Sequence, residues 1–164
     1  KVRSYDKKVV VTNVGENEMY IYLVIQGLVR KYFFTGNKEN ITQIAKEGEF
    51  INSSVSFISG EPSEYIIETI EPTIFISFSR EDIDALMSEN IKFKKIIRTI
   101  LMHLLVDKEK WEFNRLAYTT QERFAMFIRN HSELFQRVPQ KFLASYLNIQ
   151  PETFSRLKHT LKKA

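Results

Sequence analysis

The sequence predicts an α+β protein with an N-terminal antiparallel β-barrel or jelly roll, a long central dimerisation helix and a C-terminal helix-turn-helix domain. Short segments rich in β-branched and aromatic residues, separated by turn residues, fill the chain up to residue 79. Apolar residues then recur at helical spacing from about Asn90. Two short amphipathic helices, each opened by a proline, follow near the end. We expect three segments, at residues 1–80, 81–118 and 119–164.

Composition limits the class of protein. The chain has 164 residues, of which 43% are hydrophobic and 27% charged, as in soluble globular proteins. No apolar run reaches the length of a membrane span, so no membrane partner is expected. The absence of Cys excludes disulfides, iron–sulfur clusters and thiol chemistry, and it suits the reducing cytoplasm. Residue 1 is Lys rather than Met, so the sequence leaves open whether residues precede it.

The N-terminal segment reads as a series of short strands. Glycine-containing stretches between them favour turns. The polar stretch Asn52–Ser56 interrupts the series and is expected to hold a short helix. The predicted strands are Val9–Thr12, Tyr20–Ile25, Val29–Phe34, Asn40–Ile44, Tyr65–Ile70 and Thr73–Phe78.

Three helices are predicted next. A short one covers Glu81–Met87, with acidic residues in its first turn, where the helix dipole favours them. A long one begins near Asn90, and Thr119 with Glu122 predicts a capping box that opens a third, through about Asn130. We expect the long helix to pair with its own copy, although it could instead only cover the barrel. The expected dimerisation residues are Phe93, Ile97, Ile100 and Leu104.

The stretch Val138–Lys158 has the pattern of a helix-turn-helix. Pro139 suits the start of the first helix and Pro151 that of the second, while Asn148 tolerates the left-handed conformation of a sharp turn. The second helix would read the major groove of double-stranded DNA. The residues expected to face inward are Leu143, Ala144, Leu147, Ile149, Phe154, Leu157 and Leu161.

The opposite face of this stretch is polar and able to contact bases or phosphates. Residues 138–164 carry a net charge of +4, equal to that of the whole chain, as a docking face for a polyanion requires. The alternative is an ordinary helical hairpin with a solvated polar face. The expected DNA-binding residues are Gln150, Glu152, Thr153, Ser155, Arg156, Lys158, His159 and Lys163.

A barrel, a long helix and a C-terminal helix-turn-helix, in this order, resemble the Crp/Fnr family of bacterial transcription regulators. The resemblance covers nearly the whole chain and is sharpest at Ala144–Lys158 and Ile76–Arg80. In that family a Glu and an Arg of the recognition helix read base edges, and Glu152 and Arg156 fall on those places. Pro151 stands where well-known members have a basic residue, which implies a different site sequence. The resemblance implies a cytoplasmic, homodimeric DNA-binding regulator.

The same resemblance locates a possible effector loop. Cyclic-nucleotide members hold the ribose with a Glu and the phosphate with an Arg, and Ser53 and Ser63 stand at those places here. Glu61 and Glu64 lie beside Ser63, and no cation is expected there, which makes a poor phosphate site. We therefore expect no response to cyclic AMP. The possible effector-loop residues are Asn52, Ser53, Ser54, Ser63 and Glu64.

Other functions are less well supported by the sequence. No histidine precedes residue 100, so no haem, metal or other cofactor is expected in the barrel. Motifs of nucleophilic, zinc-dependent or phosphate-binding enzymes are absent, so no catalytic residues are expected. A non-nucleotide effector between barrel and long helix is the main alternative, and a ligand-independent interaction module is another. The aromatics Tyr20, Tyr22, Tyr32, Phe34, Phe50, Phe57 and Tyr65 either form core or line such an effector pocket.

Overall fold

The computed structural model describes residues 1–161. Contacts divide the chain into two units, Lys1–Ile83 and the part from Asp84 onward. The border falls inside the short helix that the sequence places after the strands. The division into three segments stays a prediction.

The first unit is built from two antiparallel sheets. Their strand orders are β1-β8-β3-β6 and β2-β7-β4-β5. The elements are β1 (Val2–Tyr5), β2 (Val10–Thr12), β3 (Tyr20–Gln26), β4 (Val29–Thr35), β5 (Lys38–Ala45), β6 (Phe50–Ile51), α1 (Ser54–Ser59), β7 (Ile66–Thr69) and β8 (Thr73–Ser79). The predicted jelly roll is confirmed as two four-stranded sheets rather than a closed barrel.

Six of these strands match the predicted ones, and α1 confirms the expected short helix. The strands β1 and β6 were not predicted. β1 owes its place to pairing with β8, where Val2 lies opposite Ile76, and a pattern within one segment cannot reveal so distant a partner. β6 has only two residues, too few for alternation to be visible.

Apolar side chains fill the interior of the first unit. The ring of Phe75 lies 5.2 Å from that of Tyr22 and 5.8 Å from that of Tyr5, measured between centroids. Tyr22 therefore belongs to the core, whereas Phe34 is exposed. The buried cluster consists of Tyr22, Val24, Val29, Ala45, Ile51, Ile67 and Phe75.

Helices form the rest of the described chain. Their bounds are α2 (Arg80–Glu89), α3 (Ile91–Ala117), α4 (Thr120–Asn130), α5 (Ser132–Arg137), α6 (Gln140–Tyr146) and α7 (Pro151–Leu161). The predicted long helix is confirmed, and Asn90 caps it by accepting hydrogen bonds from the N–H groups of Lys92 and Phe93. The capping box of Thr119 and Glu122 is also present at the start of α4. α5 was not predicted.

Aromatic packing holds the small helices of the second unit together. The rings of Phe124 in α4 and Phe154 in α7 are perpendicular, with centroids 5.1 Å apart. Phe135 of α5 lies at 6.3 Å from each of them. Between Lys1 and Leu161, no helix combines the length and the apolar character that crossing a membrane requires.

Candidate DNA-binding surface and effector loop

The turn between α6 and α7 has the conformation that its residues favour. Asn148 adopts a left-handed conformation with φ of 51°. The N–H of Ile149 donates to the carbonyl of Ala144 at 2.8 Å, and the Ile149 side chain is buried. Leu143 and Ala144 are buried as well, so the two helices approach closely at a small residue. The predicted pair of helices and its turn are therefore present.

α7 separates an inner from an outer face. Phe154 is 1% exposed and Leu157 is half-buried, which anchors the inner face. Leu161 ends the helix, and its expected inward position stays a prediction. The expected DNA-binding residues that are exposed are Gln150, Glu152, Ser155, Arg156 and His159.

Two of the expected residues are less accessible, and one cannot be located. Thr153 and Lys158 are half-buried. The ammonium group of Lys158 lies 5.4 Å from the centroid of the Phe135 ring, so α5 restrains its position. Lys163 lies outside the described residues. Thr160, which the sequence analysis did not select, is exposed on the same helix one turn after Arg156.

The long helix α3 exposes apolar side chains, most of them along one side. None of its residues is buried. Of the expected dimerisation residues, Phe93, Ile97 and Ile100 are half-buried in the single chain and Leu104 is exposed. The exposed side, lying mostly away from these, consists of Leu101, Met102, Leu105, Val106, Phe113 and Leu116. We call these six residues the α3 apolar face.

The sequence analysis selected other residues of α3 for pairing, because α3 is apolar on most sides of its central turns, and that selection stays a prediction. Spacing at i, i+3 and i+4 then fits several stripes, and the sequence analysis chose the one beginning at Phe93. Leu105 is 60% exposed and Leu116 is 76% exposed. Burial in the single chain, rather than spacing, distinguishes the stripes.

The possible effector loop is closed by its own hydrogen bonds. Ser53 and Ser63 are both buried, and their hydroxyl oxygens lie 2.8 Å apart. The N–H of Tyr65 donates to the Ser63 hydroxyl at 3.1 Å. Asn52 is half-buried and accepts from the hydroxyl of exposed Ser54 at 2.9 Å. Glu61 and Glu64 are exposed, like Ser54.

A buried carboxylate, which the sequence analysis did not select, lies against this loop. Glu18 is 5% exposed and accepts hydrogen bonds from the Thr12 hydroxyl at 2.9 Å, the Tyr20 N–H at 3.2 Å and the Ser53 N–H at 3.3 Å. The Glu18 N–H donates to the Ser56 hydroxyl at 2.9 Å. Burial raises the pKa of Glu18, and the hydrogen bonds it accepts partly offset this effect. An anion bound at the loop would meet this carboxylate.

Two cations also contact the segment that holds the loop, at residues other than Ser63, and the expected lack of a cation beside Ser63 stays a prediction. The ammonium group of Lys31 donates to the carbonyl of Asn52 at 3.1 Å. The guanidinium of Arg80 donates to the carbonyls of Phe57 and Ile58 at the end of α1, the latter at 3.2 Å. Lys31 and Arg80 belong to β4 and α2, remote in sequence from the loop, so local spacing does not reveal them.

Residues 2–90 match the family described as the cyclic nucleotide-binding domain. No curated protein sequence matches the chain.

Solved structures match nearly the whole chain. FixK2 from Bradyrhizobium japonicum has 20% identity and a TM-score of 0.81, with 99% of this chain and 84% of that one covered. The c-di-GMP-responsive global regulator CLP from Xanthomonas campestris has 20% identity and a TM-score of 0.75, covering 99% and 86%. A CooA variant from Carboxydothermus hydrogenoformans has 18% identity and a TM-score of 0.73, covering 99% and 76%. At these identities the matches establish the fold.

The raised pKa of Glu18 predicts a pH-dependent stability. Between the ordinary and the raised pKa the folded state binds more protons than the unfolded state, so the free energy of unfolding falls as pH rises through this window. The Glu18→Gln variant lacks this titration. Urea unfolding from pH 4 upward should show the wild type losing stability relative to the variant as pH rises.

The control is Glu16→Gln, which changes an exposed carboxylate two residues away and should not remove the dependence. A constant difference between wild type and Glu18→Gln at every pH would contradict the assignment.

Proposed function

Because this chain belongs to the cyclic nucleotide-binding domain family and has the fold of the Crp/Fnr regulators, we propose that it is a sequence-specific DNA-binding transcription regulator. It acts as a homodimer and does not respond to cyclic AMP. The observation that carries the proposal is the polar outer face of α7, anchored from behind by buried Phe154 and preceded by the left-handed turn at Asn148.

Glu152 and Arg156 lie one helical turn apart on the exposed side of α7. An Arg can bind guanine O6 and N7 through two hydrogen bonds, and a Glu can accept from cytosine N4. Ser155 and His159 flank them with further polar groups. These residues suit base reading, because each is exposed on the side of α7 opposite buried Phe154.

Lysines suit the phosphates, because a flexible ammonium group makes point contacts without base geometry. Lys158 is half-buried, and its ammonium group lies over the Phe135 ring. Its charge is therefore held beside the exposed face that carries Glu152 and Arg156, not within it. We assign Lys158 and Lys163 to the DNA backbone. This division separates residues that set affinity from those that set sequence preference.

A second copy is the partner we propose for the α3 apolar face. α3 has 27 residues, which corresponds to about 40 Å of helix. Large exposed apolar patches mark interaction surfaces, and long helices with such patches pair in coiled-coil fashion. Pairing along α3 gives a two-fold particle with two copies of α7, as a palindromic DNA site requires.

The effector loop argues against cyclic AMP. The hydroxyl pair of Ser53 and Ser63 offers no positive charge to a phosphate. The Ser53 N–H is already engaged by the Glu18 carboxylate, which would repel the ligand. Lys31 and Arg80 are engaged by backbone carbonyls. An effector between the first unit and α3 stays a prediction from the sequence.

Changing Arg156 to Ala should relax sequence preference. The loss of one bidentate contact costs about 1–3 kcal/mol of discrimination at one base pair in each half-site. Binding to the specific site should weaken far more than binding to random DNA. Fluorescence anisotropy with both DNAs, over a range of salt concentrations, measures the two effects.

Lys163→Ala is the comparison variant, and it should weaken both kinds of binding alike and lower the salt slope by about one per monomer. Equal losses on specific and random DNA for Arg156→Ala would transfer base reading to Glu152, Thr153 or Ser155.

Changing Leu105 to Asp should produce monomers. The substitution puts a charge on the α3 apolar face at a residue that is 60% exposed in the single chain, so the monomer fold should persist. Sedimentation velocity should show half the wild-type mass, and specific DNA binding should be lost. Circular dichroism should remain that of the wild type.

His103→Asp is the matched control, because His103 is exposed on α3 but lies outside the α3 apolar face. This variant should stay dimeric. If wild type and Leu105→Asp sediment alike, pairing along α3 is wrong.

Cyclic AMP should not bind. Isothermal titration calorimetry at micromolar to millimolar cyclic AMP should give no saturable heat. Ser53 and Ser63 cannot replace the Glu and the Arg with which cyclic-nucleotide members of the Crp/Fnr family hold the ligand. The comparison variant combines Ser63→Arg with Glu18→Gln. These changes add a cation to the loop and remove the negative charge that opposes a phosphate. Saturable binding to the wild type that disappears in Ser53→Ala or Ser63→Ala would overturn this prediction.

A further inference from the structure

The charge of the chain changes sign abruptly where α2 ends and α3 begins. Residues 81–90 contain four acidic residues and no Lys or Arg, whereas residues 91–106 contain four Lys or Arg and no acidic residue. Asp84 and Glu89, the two acids nearest to α3, are exposed. The cations are exposed as well, and they are Lys92, Lys94, Lys95 and Arg98. Two exposed groups of charges of opposite sign therefore adjoin Asn90.

Each group of charges opposes the dipole of its own helix. The first turn of α3 carries no acidic side chain, and the last turn of α2 carries no basic one. Cations are unfavourable near the N-terminus of a helix, and anions are unfavourable near its C-terminus. Within residues 1–161 none of these six charged side chains forms an ion pair. The single chain therefore does not compensate the charges at this junction.

Two of the cations lie on the side of α3 that is assigned to pairing. Lys94 precedes Leu101 by seven residues, and Leu101 belongs to the α3 apolar face. Arg98 precedes Leu105 by the same number. Seven residues make nearly two turns of an α-helix, so each cation lies on the same side as the leucine that follows it. These cations extend the α3 apolar face toward the start of the helix.

Pairing that serves a palindromic DNA site brings the cations of both copies together. The helices α4 to α7 follow the C-terminal end of α3, so two α7 helices reach half-sites about 34 Å apart when the two α3 helices run parallel. In a parallel pair the helix starts lie side by side, with axes about 8–10 Å apart. Lys94 and Arg98 of one copy then lie near the same residues of the other copy, where like charges repel. A stable pair needs negative charge beside them.

We propose that the acidic end of α2 in each copy supplies this negative charge to the start of α3 in the other copy, an inference that rests on the proposed homodimer. Glu89 stands two residues before α3, so in a parallel pair it lies beside the start of the partner's α3. Lys94 and Lys95 are the cations that it contacts there, and Asp84 adds a second carboxylate one turn and a half earlier on α2.

This contact occurs twice in the dimer, once on each side of the two-fold axis. It also selects the direction of pairing. In an antiparallel pair the end of α2 would lie beside the C-terminal end of the partner's α3, away from the cations. The apolar side of α3 therefore supplies the area of the interface, and the charges at its start set the parallel orientation.

Zero-length cross-linking tests the contact in the wild-type chain. A carbodiimide joins a carboxylate to an amine when the two groups are in direct contact. Dimers are assembled from a mixture of isotopically labelled and unlabelled chains, so mass spectrometry separates cross-links between copies from those within one chain. We expect Glu89 to be joined to Lys94 or Lys95 in products of mixed isotope. Dimers in which Glu89 is joined only within its own chain, or not at all, would overturn the proposal.

Charge reversal gives a second measurement, by sedimentation equilibrium. Glu89→Lys turns two attractive contacts per dimer into repulsive ones and should raise the dissociation constant of the dimer about tenfold at low salt. Asp107→Lys is the matched control, because it gives the same net charge at an exposed residue of α3 outside the α3 apolar face. It should change the dissociation constant less than about threefold.

The sign of the salt dependence separates attraction from repulsion. Because NaCl screens both, it should weaken the wild-type dimer and strengthen the Glu89→Lys dimer. Equal effects of the two reversals, or a wild-type dimer that NaCl strengthens, would contradict the contact. A wild-type dimer that tripolyphosphate strengthens at constant ionic strength would assign the counter-charge to a bound polyanion instead, and would also contradict it. A chain that stays monomeric throughout refutes the homodimer itself, whereas a dimer without these effects refutes the contact alone.

Discussion

The exposure of the α3 apolar face is the constraint on which the proposed assembly depends. Leu101, Leu105 and Leu116 remain 60–76% exposed in the single chain, although they sit on a well-capped helix of 27 residues. Exposed leucines of this number on one helix side cost free energy in water, and each is worth roughly 1.5–3 kcal/mol when buried. In the proposed homodimer, a second copy of α3 buries this face and brings a second α7 into the same particle. Under this proposal the pairing of α3 determines which DNA sites the protein can use.

The effector loop illustrates a different solution to a buried polar site. In a ligand-binding loop the ligand satisfies the buried donors, whereas here Glu18 accepts from Thr12 and Ser53, and the hydroxyl groups of Ser53 and Ser63 lie within hydrogen-bonding distance of each other. Such a network is stable without a ligand, because its buried polar groups have partners inside the protein. A constitutive regulator, or one that senses its effector elsewhere, is consistent with this arrangement.

Local rules predicted much of the fold. Strands rich in β-branched residues, the capping box of Thr119 and Glu122, and the left-handed turn at Asn148 are encoded within a few residues, and the structure contains them. β1 depends instead on its pairing with β8 more than seventy residues later. The loop meets Glu18, Lys31 and Arg80 only in the folded chain, so no spacing along the sequence indicates them. The exposed apolar side of α3 is likewise visible only from burial.

Selection of bound sequences from a random pool of duplex DNA tests the central claim most directly, when the mass of the resulting complex is also measured. A homodimer with two α7 reading helices should enrich an inverted repeat whose half-sites lie about one helical turn, roughly 34 Å, apart. The complex should contain two chains per duplex. Enrichment of an unrepeated site bound by one chain, or no enrichment at all, would contradict the account.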